Sequence, residues 1–150
     1  MSTILKGALA GLLMIAGSLL PAVSTAQTSS PESAIRQILS EQAAAWNKGD
    51  MAGFMQHYWK SDDLQFLGAS GLTKGWQATL DRYKKAYPDV QSMGKLTFDL
   101  HEINRRSETV YSVIGQYHLS REGLENLSGH FLLIVQSIAG KWLIVADSTH

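Results

Sequence analysis

The carboxyl-terminal part of the sequence alternates between apolar and polar residues with a period of two, and this pattern limits the fold more than any other feature. It covers four stretches, at about residues 95–104, 109–119, 128–137 and 141–149. The connecting segments RRSE, SREGLEN and AG have the lengths of hairpin turns, so the strands are predicted to form an antiparallel meander. A sheet of this kind must bury one face against other parts of the chain.

Each predicted hairpin assigns residues to one of the two sheet faces, because side chains alternate strictly along a strand. Folding the chain about SREGLEN places Tyr117 opposite Phe131, and the two-residue turn Ala139-Gly140 extends the same face along the last strand. The three hairpins agree on one inner, mostly apolar face, which comprises Leu96, Phe98, Leu100, Val113, Gly115, Tyr117, Phe131, Leu133, Val135, Trp142, Ile144, Ala146, Ser148 and His150.

The segment before this sheet has the spacing of helices. Ser30 followed by Pro31 predicts a helix N-cap and a first helical position, and apolar residues recur at helical spacing up to Trp46. A second helix is predicted over about residues 51–58, LQFLG and ASGLTKG form a small hairpin, and a third helix starts at Trp76 and is stopped by Pro88. The predicted fold class is therefore α+β, with three N-terminal helices packed in a curved, mostly antiparallel sheet.

Residues 1–26 have the anatomy of a cleaved secretory signal peptide. They contain one Lys and no acidic residue, an apolar run at residues 8–20, and the small residues Ser24 and Ala26 before Gln27. The apolar run is short for a membrane span, and an uncleaved anchor is the alternative. We expect an exported protein, periplasmic or secreted, with a polar tail at residues 27–30, a single domain at residues 31–150 and no membrane contact after cleavage.

Composition excludes several classes of protein. The chain has no Cys, so it uses neither disulfides nor thiol chemistry. It carries 13 basic and 13 acidic residues, and loss of Lys6 with the signal peptide leaves a net charge near minus one. A charge this small attracts neither nucleic acid nor an anionic membrane surface. The glycines of GASG lack the surroundings of a phosphate-binding loop, and no cofactor is expected.

The order of elements resembles the nuclear transport factor 2-like superfamily. The resemblance rests on a helix ending in WNKGD, a short helix ending in HYW, a strand with a G…G arm, a helix opening with GW, and the terminal hairpin GKWLIVADST. It covers residues 31–150 and is nearest to the SnoaL-like and ketosteroid-isomerase-like small exported domains. It implies a cone in which the sheet wraps the helices and leaves a pocket at the wide end. The superfamily hosts enzymes, binding modules and assembly domains, so the resemblance does not select a function.

The catalytic residues of the isomerase branch do not carry over to this chain. When the resemblance is aligned at KGD without gaps, the position of the oxyanion-hole tyrosine is Gln42 and that of the general-base aspartate is Phe66. The second acid falls near Leu132. Steroid-type isomerase chemistry is therefore not expected.

Aromatic residues with polar tips occur on the predicted helices and on the inner sheet face. Such residues suit a cavity that holds a mostly apolar ligand and orients it, and the alternative is an ordinary core whose ring tips reach water. The predicted ligand-binding residues are Trp46, Tyr58, Trp59, Trp76, Tyr83, Tyr117, Phe131, Ser148 and His150.

Asp147 is a carboxylate whose role depends on the face that it occupies. With a two-residue turn at Ala139-Gly140 it faces outward, and Ser148 and His150 face the pocket. A glycine bulge at this turn would bring Asp147 into the pocket instead. Burial there would raise its pKa toward that of a general base.

The outer sheet face is predicted to be apolar at its centre, at Ile114, Leu132, Ile134, Leu143 and Val145. Because the helices cover the other face, and because the resemblance implies pairing through this one, we expect a homodimer. A monomer whose apolar patch is screened by polar neighbours is the alternative. Polar residues surround the patch, among them the predicted cross-strand neighbours His118 and His130, with Asp99 and His101 nearby. Such residues can bind zinc or copper, but a polar dimer rim explains them and no metal site is predicted.

Two functions remain open from the sequence. The first is an exported small-molecule-binding or accessory domain that takes an apolar or amphipathic molecule. The second is a cofactor-free isomerase, dehydratase or cyclase that acts on a small hydrophobic substrate. A pure assembly module would instead fill the cavity with its own side chains. The missing isomerase carboxylates favour the first function, and a titratable residue with a perturbed pKa in a well-formed cavity would favour the second.

Overall fold

The computed structural model describes residues 29–150 of the chain. The predicted signal peptide, residues 1–26, and the first two residues of the predicted polar tail lie outside the described residues. Within residues 29–150, no helix combines the length and the apolar character that crossing a bilayer requires.

The helices begin where the sequence predicts and differ from the prediction in two places. They are α1 (Pro31–Trp46), α2 (Met51–Met55), α3 (Trp76–Ala86) and α4 (Val90–Met93). The Ser30 hydroxyl accepts a hydrogen bond from the Ser33 amide at 3.2 Å, and the Asp50 carboxylate caps α2. α2 is shorter than predicted. The prediction also lacks α4, which begins with a capping box at Asp89.

One six-stranded sheet contains all the strands of residues 29–150. The strands are β1 (Gln65–Gly68), β2 (Gly71–Lys74), β3 (Lys95–Arg105), β4 (Val110–Ser120), β5 (Leu127–Ile138) and β6 (Lys141–Thr149), in the order β2-β1-β6-β5-β4-β3. β3 to β6 form the predicted antiparallel meander, and β1 extends it by pairing parallel to β6. The predicted α+β fold class is confirmed, with the helices packed on a curved, open sheet.

The pairing of β4 with β5 differs from the prediction by two residues. Tyr117 lies opposite Gly129 and not opposite Phe131, and Gly115 lies opposite Phe131. Each glycine therefore faces an aromatic ring. A Cβ on Gly115 would come within 2.6 Å of the Phe131 ring, and a Cβ on Gly129 within 2.8 Å of the Tyr117 ring. A shift of two residues preserves the faces, so the inner face assigned to these two strands is confirmed.

The end of β6 also departs from the prediction. β6 has a bulge at Val145, where its pairing with β5 shifts by one residue. Ile144 and the residues before it keep the predicted face, and residues 146–149, which follow the bulge, change sides. The prediction that Ala146 and Ser148 face inward is therefore wrong, and Asp147 faces inward instead. The turn has the predicted two residues, so the bulge lies inside the strand and not at the turn.

The core lies between the inner face of the sheet and the helices. Its fully buried side chains include Ile35 on α1, Met55 on α2 and Val113 on β4. Burial of such apolar surface is the main driving force for folding. The buried polar side chains are Gln42, Thr79, Ser112 and Asp147. Among the described residues, Asp147 is therefore the one buried side chain that carries a carboxyl group.

Candidate functional site

A cavity of about 810 Å³ lies between the inner face of the sheet and helices α1 and α3. Its buried lining residues form the floor and the walls: Leu39, Gln42, Trp46, Phe54, Tyr58, Phe66, Leu96, Leu119, Phe131, Leu133 and Asp147. Its exposed lining residues form the mouth: Ala69, Ser70, Leu72, Lys85, Ala86 and His150. The volume is within the range of small-molecule sites, about 300–1,000 Å³, and the lining is mostly apolar, as in such sites.

Asp147 lies at the floor of this cavity with a donor on each carboxylate oxygen. The Tyr58 hydroxyl donates to Oδ2 at 2.6 Å, and the Thr149 hydroxyl donates to Oδ1 at 2.5 Å. None of the salt bridges formed within residues 29–150 includes Asp147. Its side-chain hydrogen-bond donors are therefore the two hydroxyl groups.

The buried position of these groups changes their pKa values. Burial raises the pKa of the Asp147 carboxyl group above its usual value, and the hydrogen bonds from Thr149 and Tyr58 oppose that change without cancelling it. The pKa values of Tyr58 and Tyr83 are raised well above the usual value, first by burial and then by the charge of Asp147. Both tyrosines therefore stay protonated at neutral pH and present hydroxyl groups at the floor of the cavity.

Aromatic rings pack edge-on along one wall. The centroid of the Phe54 ring lies 5.0 Å from that of Trp46 and 5.3 Å from that of Tyr83, and Tyr83 lies 5.4 Å from Phe66. The Trp46 indole Nε1 donates to the Met93 carbonyl oxygen at 3.0 Å. The polar tip of Trp46 is thus used within the protein, and Trp46 contributes apolar ring surface to the cavity.

Arg82 of α3 holds the β1–β2 hairpin at the mouth. Its guanidinium group donates to the Gly71 carbonyl oxygen at 2.9 Å and to the hydroxyl oxygens of Thr73 and Ser70 at 2.8 Å each. The same group lies 4.8 Å from the centroid of the Phe66 ring, which is a cation–π distance. Arg82 therefore fastens the hairpin to α3 and places a positive charge beside the entrance.

Comparison with solved structures assigns this geometry to a family. A nuclear transport factor 2-like protein of unknown function from Shewanella oneidensis matches with a TM-score of 0.76 and 37% sequence identity, over 79% of this chain and 98% of that protein. The chain belongs to the nuclear transport factor 2-like superfamily. The resemblance predicted from the order of elements is confirmed.

Two solved structures of lower sequence identity share the fold. A domain of unknown function with a cystatin-like fold from Nostoc punctiforme has a TM-score of 0.68 and 20% identity, over 81% of this chain and 77% of that one. A ketosteroid isomerase-like protein from Erwinia carotovora atroseptica has a TM-score of 0.63 and 16% identity, over 77% of this chain and 92% of that one. No family model matches the sequence, and no curated protein matches it.

The nuclear transport factor 2-like fold brings most of the predicted site residues to the cavity. The lining includes Trp46, Tyr58, Tyr83, Tyr117, Phe131 and His150, and the bulge adds Asp147. The residues placed elsewhere are Trp59, Trp76 and Ser148. The Trp76 indole donates to the Met55 carbonyl oxygen at 2.9 Å, and Ser148 lies on the outer face opposite Leu132. Ligand contact by the lining residues stays a prediction.

Several residues that line the cavity are not among the ligand-binding residues predicted from the sequence. Thr149 follows Asp147 by two positions and so shares its face, which makes it predictable once the bulge is known. Phe66, which the sequence resemblance aligns with the isomerase's base, lies in the cavity and pairs with Asp147 in the parallel β1–β6 ladder. Arg82 has no sequence signal, because its partners are carbonyl and hydroxyl oxygens of the hairpin and not a carboxylate.

On the outer sheet face, the predicted pairing of His118 with His130 is wrong because of the shifted β4–β5 pairing. His118 lies opposite Ser128, and its Nε2 lies 3.0 Å from Asp99 Oδ2. His130 lies near His101, with 6.3 Å between the ring centroids. In the part of the chain that the structure describes, no group of three His, Cys, Asp or Glu side chains is placed to hold a metal ion.

Proposed function

We propose that the protein is an exported small-molecule-binding domain whose cavity takes up an apolar or amphipathic molecule. The observation that carries the proposal is the buried Asp147 at the floor of an aromatic-walled cavity of about 810 Å³. A core whose only role is stability is filled with side chains at high density, and burial of an ionisable carboxyl group in it is unfavourable. A void with such a group at its base is instead typical of a site that orients a ligand.

The polar groups at the floor define how a ligand would be oriented. Each oxygen of Asp147 receives one hydrogen bond, and a carboxylate oxygen has a second lone pair for another donor. A ligand hydroxyl group at the floor would therefore donate to Asp147. The apolar body of the ligand would lie against the rings of Phe54, Tyr83 and Phe131, which supply large contact areas.

Decanol is a suitable probe, and two alanines of α3 provide matched variants. Ala86 is exposed and lines the mouth, while Ala78 is exposed on the same helix and is not a lining residue. Ala86→Trp is expected to obstruct the mouth and to weaken decanol binding about tenfold, a change of ~1.4 kcal/mol. Ala78→Trp is expected to leave binding unchanged. Isothermal titration calorimetry measures both, and equal binding by the two variants, or no binding to the wild type, contradicts the proposal.

A second candidate function is a cofactor-free isomerase, dehydratase or cyclase with Asp147 as general base. The raised pKa of a carboxyl group that faces the cavity favours it. The ionised carboxylate would take a proton from a carbon next to a substrate carbonyl group, and the electron pair of that C–H bond would move onto the carbonyl oxygen as an enolate. Protonated Asp147 would then return the proton to the substrate, and the Tyr58 hydroxyl, which donates to Asp147, would hold the carboxyl group in place. Asp147 also pairs with Phe66, which the sequence resemblance aligns with the isomerase's base.

Deuterium exchange tests this second function directly. A long-chain methyl ketone in D2O is expected to exchange its α-protons faster with the wild type than in buffer. General-base catalysis typically contributes a factor of about 10²–10⁴, so Asp147→Asn is expected to lose at least ~10² of the exchange rate. Exchange at the buffer rate in the presence of a bound ketone contradicts the enzyme function and leaves the binding function.

The proposal also includes a homodimer formed through the outer sheet face. Leu132 is 43% exposed on this face, and its neighbours in the patch, Ile114, Ile134, Leu143 and Val145, are partly buried. Isologous pairing of two such patches would remove their apolar surface from water.

A further inference from the structure

The charged residues that line the cavity are separated by sign. Among the described lining residues, Asp147 is the one with a carboxylate side chain, and it lies at the buried floor. Arg82 and Lys85 are the cationic lining residues, and both lie on α3 at the mouth, with Lys85 exposed and Arg82 partly buried. The cavity therefore has a positive entrance and an acidic floor.

We propose that the ligand is an amphipathic anion, whose acidic group is held at the mouth by Arg82 and Lys85 and whose apolar body fills the aromatic interior. This inference rests on the proposed binding function and names the chemical class of the ligand.

The positive charges at the mouth lack a partner of opposite sign within the described residues. None of the salt bridges formed within residues 29–150 includes Arg82 or Lys85. The hydrogen-bond acceptors of Arg82 are a carbonyl oxygen and two hydroxyl oxygens, which are neutral. A carboxylate at the mouth would therefore meet two cations that are in no salt bridge, one of which is fixed in place by its hydrogen bonds.

The floor opposes the reverse orientation. An acidic group pushed to the floor would lie beside the Asp147 carboxylate, where burial strengthens repulsion between like charges. A cationic head group is repelled at the mouth and must be desolvated to reach Asp147 at the floor. At the mouth it meets Arg82 and Lys85, and at the floor the loss of its hydration shell offsets the attraction of Asp147. An anion with its charge at the entrance meets the two cations there and keeps its charge away from Asp147.

Three probes with the same alkyl chain separate these alternatives: decanoate, decanol and decylamine. With the wild type at low salt, decanoate is expected to bind about fivefold more tightly than decanol, and decylamine more weakly than either, since a charge contact at an exposed site contributes up to ~1 kcal/mol. The advantage of decanoate over decanol is expected to decrease as salt is added, because exposed charges are screened.

Two neighbouring lysines of α3 provide the matched variants. Lys85→Gln is expected to raise the Kd of decanoate about threefold and to leave that of decanol unchanged. Lys84→Gln removes the same charge from an exposed residue that is not in the lining, and it is expected to change neither Kd. Both side chains are exposed, so both variants are expected to fold.

The outcomes distinguish this inference from the proposed function. If decanol binds as tightly as decanoate and Lys85→Gln has no effect, the anion site is refuted and the binding cavity stands. If Lys84→Gln and Lys85→Gln weaken decanoate equally, the attraction is a general property of the helix surface and the anion site is again refuted. If the wild type binds none of the three probes, the proposed function itself fails.

Discussion

Replacing Tyr58 by Phe removes the hydroxyl group that donates to Asp147 and leaves the ring in place. The Tyr58 side chain is 3% exposed, and its ring centroid lies 5.9 Å from that of Phe54, so Phe retains nearly the same apolar contacts. The interaction lost is the 2.6 Å hydrogen bond to Asp147 Oδ2. Thr149 then remains as the hydrogen-bond donor to this carboxylate.

The expected loss of stability depends on the ionisation of Asp147. A hydrogen bond to a charged group contributes about 1.5–3 kcal/mol, and one between neutral groups about 0.5–1.5 kcal/mol. The Tyr58 hydrogen bond lowers the folded pKa of Asp147, which burial has raised, so the variant has a still higher folded pKa. In both proteins the contribution of Asp147 to the free energy of unfolding falls as pH rises from its unfolded to its folded pKa, and this fall is larger in the variant. The loss is therefore ~1 kcal/mol where Asp147 is protonated and increases to ~2 kcal/mol as pH rises through the folded pKa.

Urea unfolding followed by tryptophan fluorescence at a series of pH values measures this loss. Tyr111→Phe is the control, because Tyr111 packs edge-on against Trp142 at 5.4 Å and is not a lining residue. It is expected to change the free energy of unfolding little, and equally at every pH. A Tyr58→Phe loss below ~0.5 kcal/mol, or one that does not vary with pH, would refute the hydrogen-bonded floor described above.

Three further experiments test the signal peptide, the dimer interface and the β4–β5 pairing. Mass spectrometry of exported protein is expected to show a new N-terminus within a few residues of Gln27, and an intact Met1 on soluble exported protein would exclude cleavage. Ile134→Asp is expected to convert a dimer into a monomer in sedimentation velocity, because it buries an unpaired charge in the interface; a dimer that tolerates it does not use this face. Gly115→Ala is expected to lower the free energy of unfolding by about 1–3 kcal/mol, because its Cβ would lie 2.6 Å from both the Phe131 ring and the Asp99 carbonyl oxygen. An unchanged urea midpoint would show that the β4–β5 pairing is different.

The strands and the inner face of the β4–β5 pair were predictable from the sequence, and their register was not. Strict alternation assigns the same residues to the inner face whether Tyr117 lies opposite Phe131 or opposite Gly129. The choice between these registers depends on steric fit across the sheet. Gly115 and Gly129 leave room for the rings of Phe131 and Tyr117, and a pattern of apolar and polar residues does not contain that information.

The position of Asp147 depends on contacts between distant parts of the chain. The bulge at Val145 has no Gly or Pro to mark it in the sequence. On the other edge of β6, the Trp59 amide donates to the Ile144 carbonyl oxygen at 2.9 Å, and the Ile144 amide donates to the His57 carbonyl oxygen at 3.0 Å. β1 pairs with the residues that follow the bulge. These pairings hold β6 on both sides of Val145, and the β6 sequence alone cannot reveal them.

Methyl NMR during a titration with decanol tests the proposed cavity site most directly. Leu132 and Leu133 are neighbours in β5 that face opposite sides of the sheet. Leu133 lines the cavity and is 4% exposed, while Leu132 is 43% exposed on the outer face. We predict that the methyl signals of Leu133, and of Leu119 on the cavity wall, shift with decanol while those of Leu132 stay in place. Shifts of Leu132 without shifts of Leu133, or no shift of either up to the solubility limit of decanol, would contradict binding in this cavity.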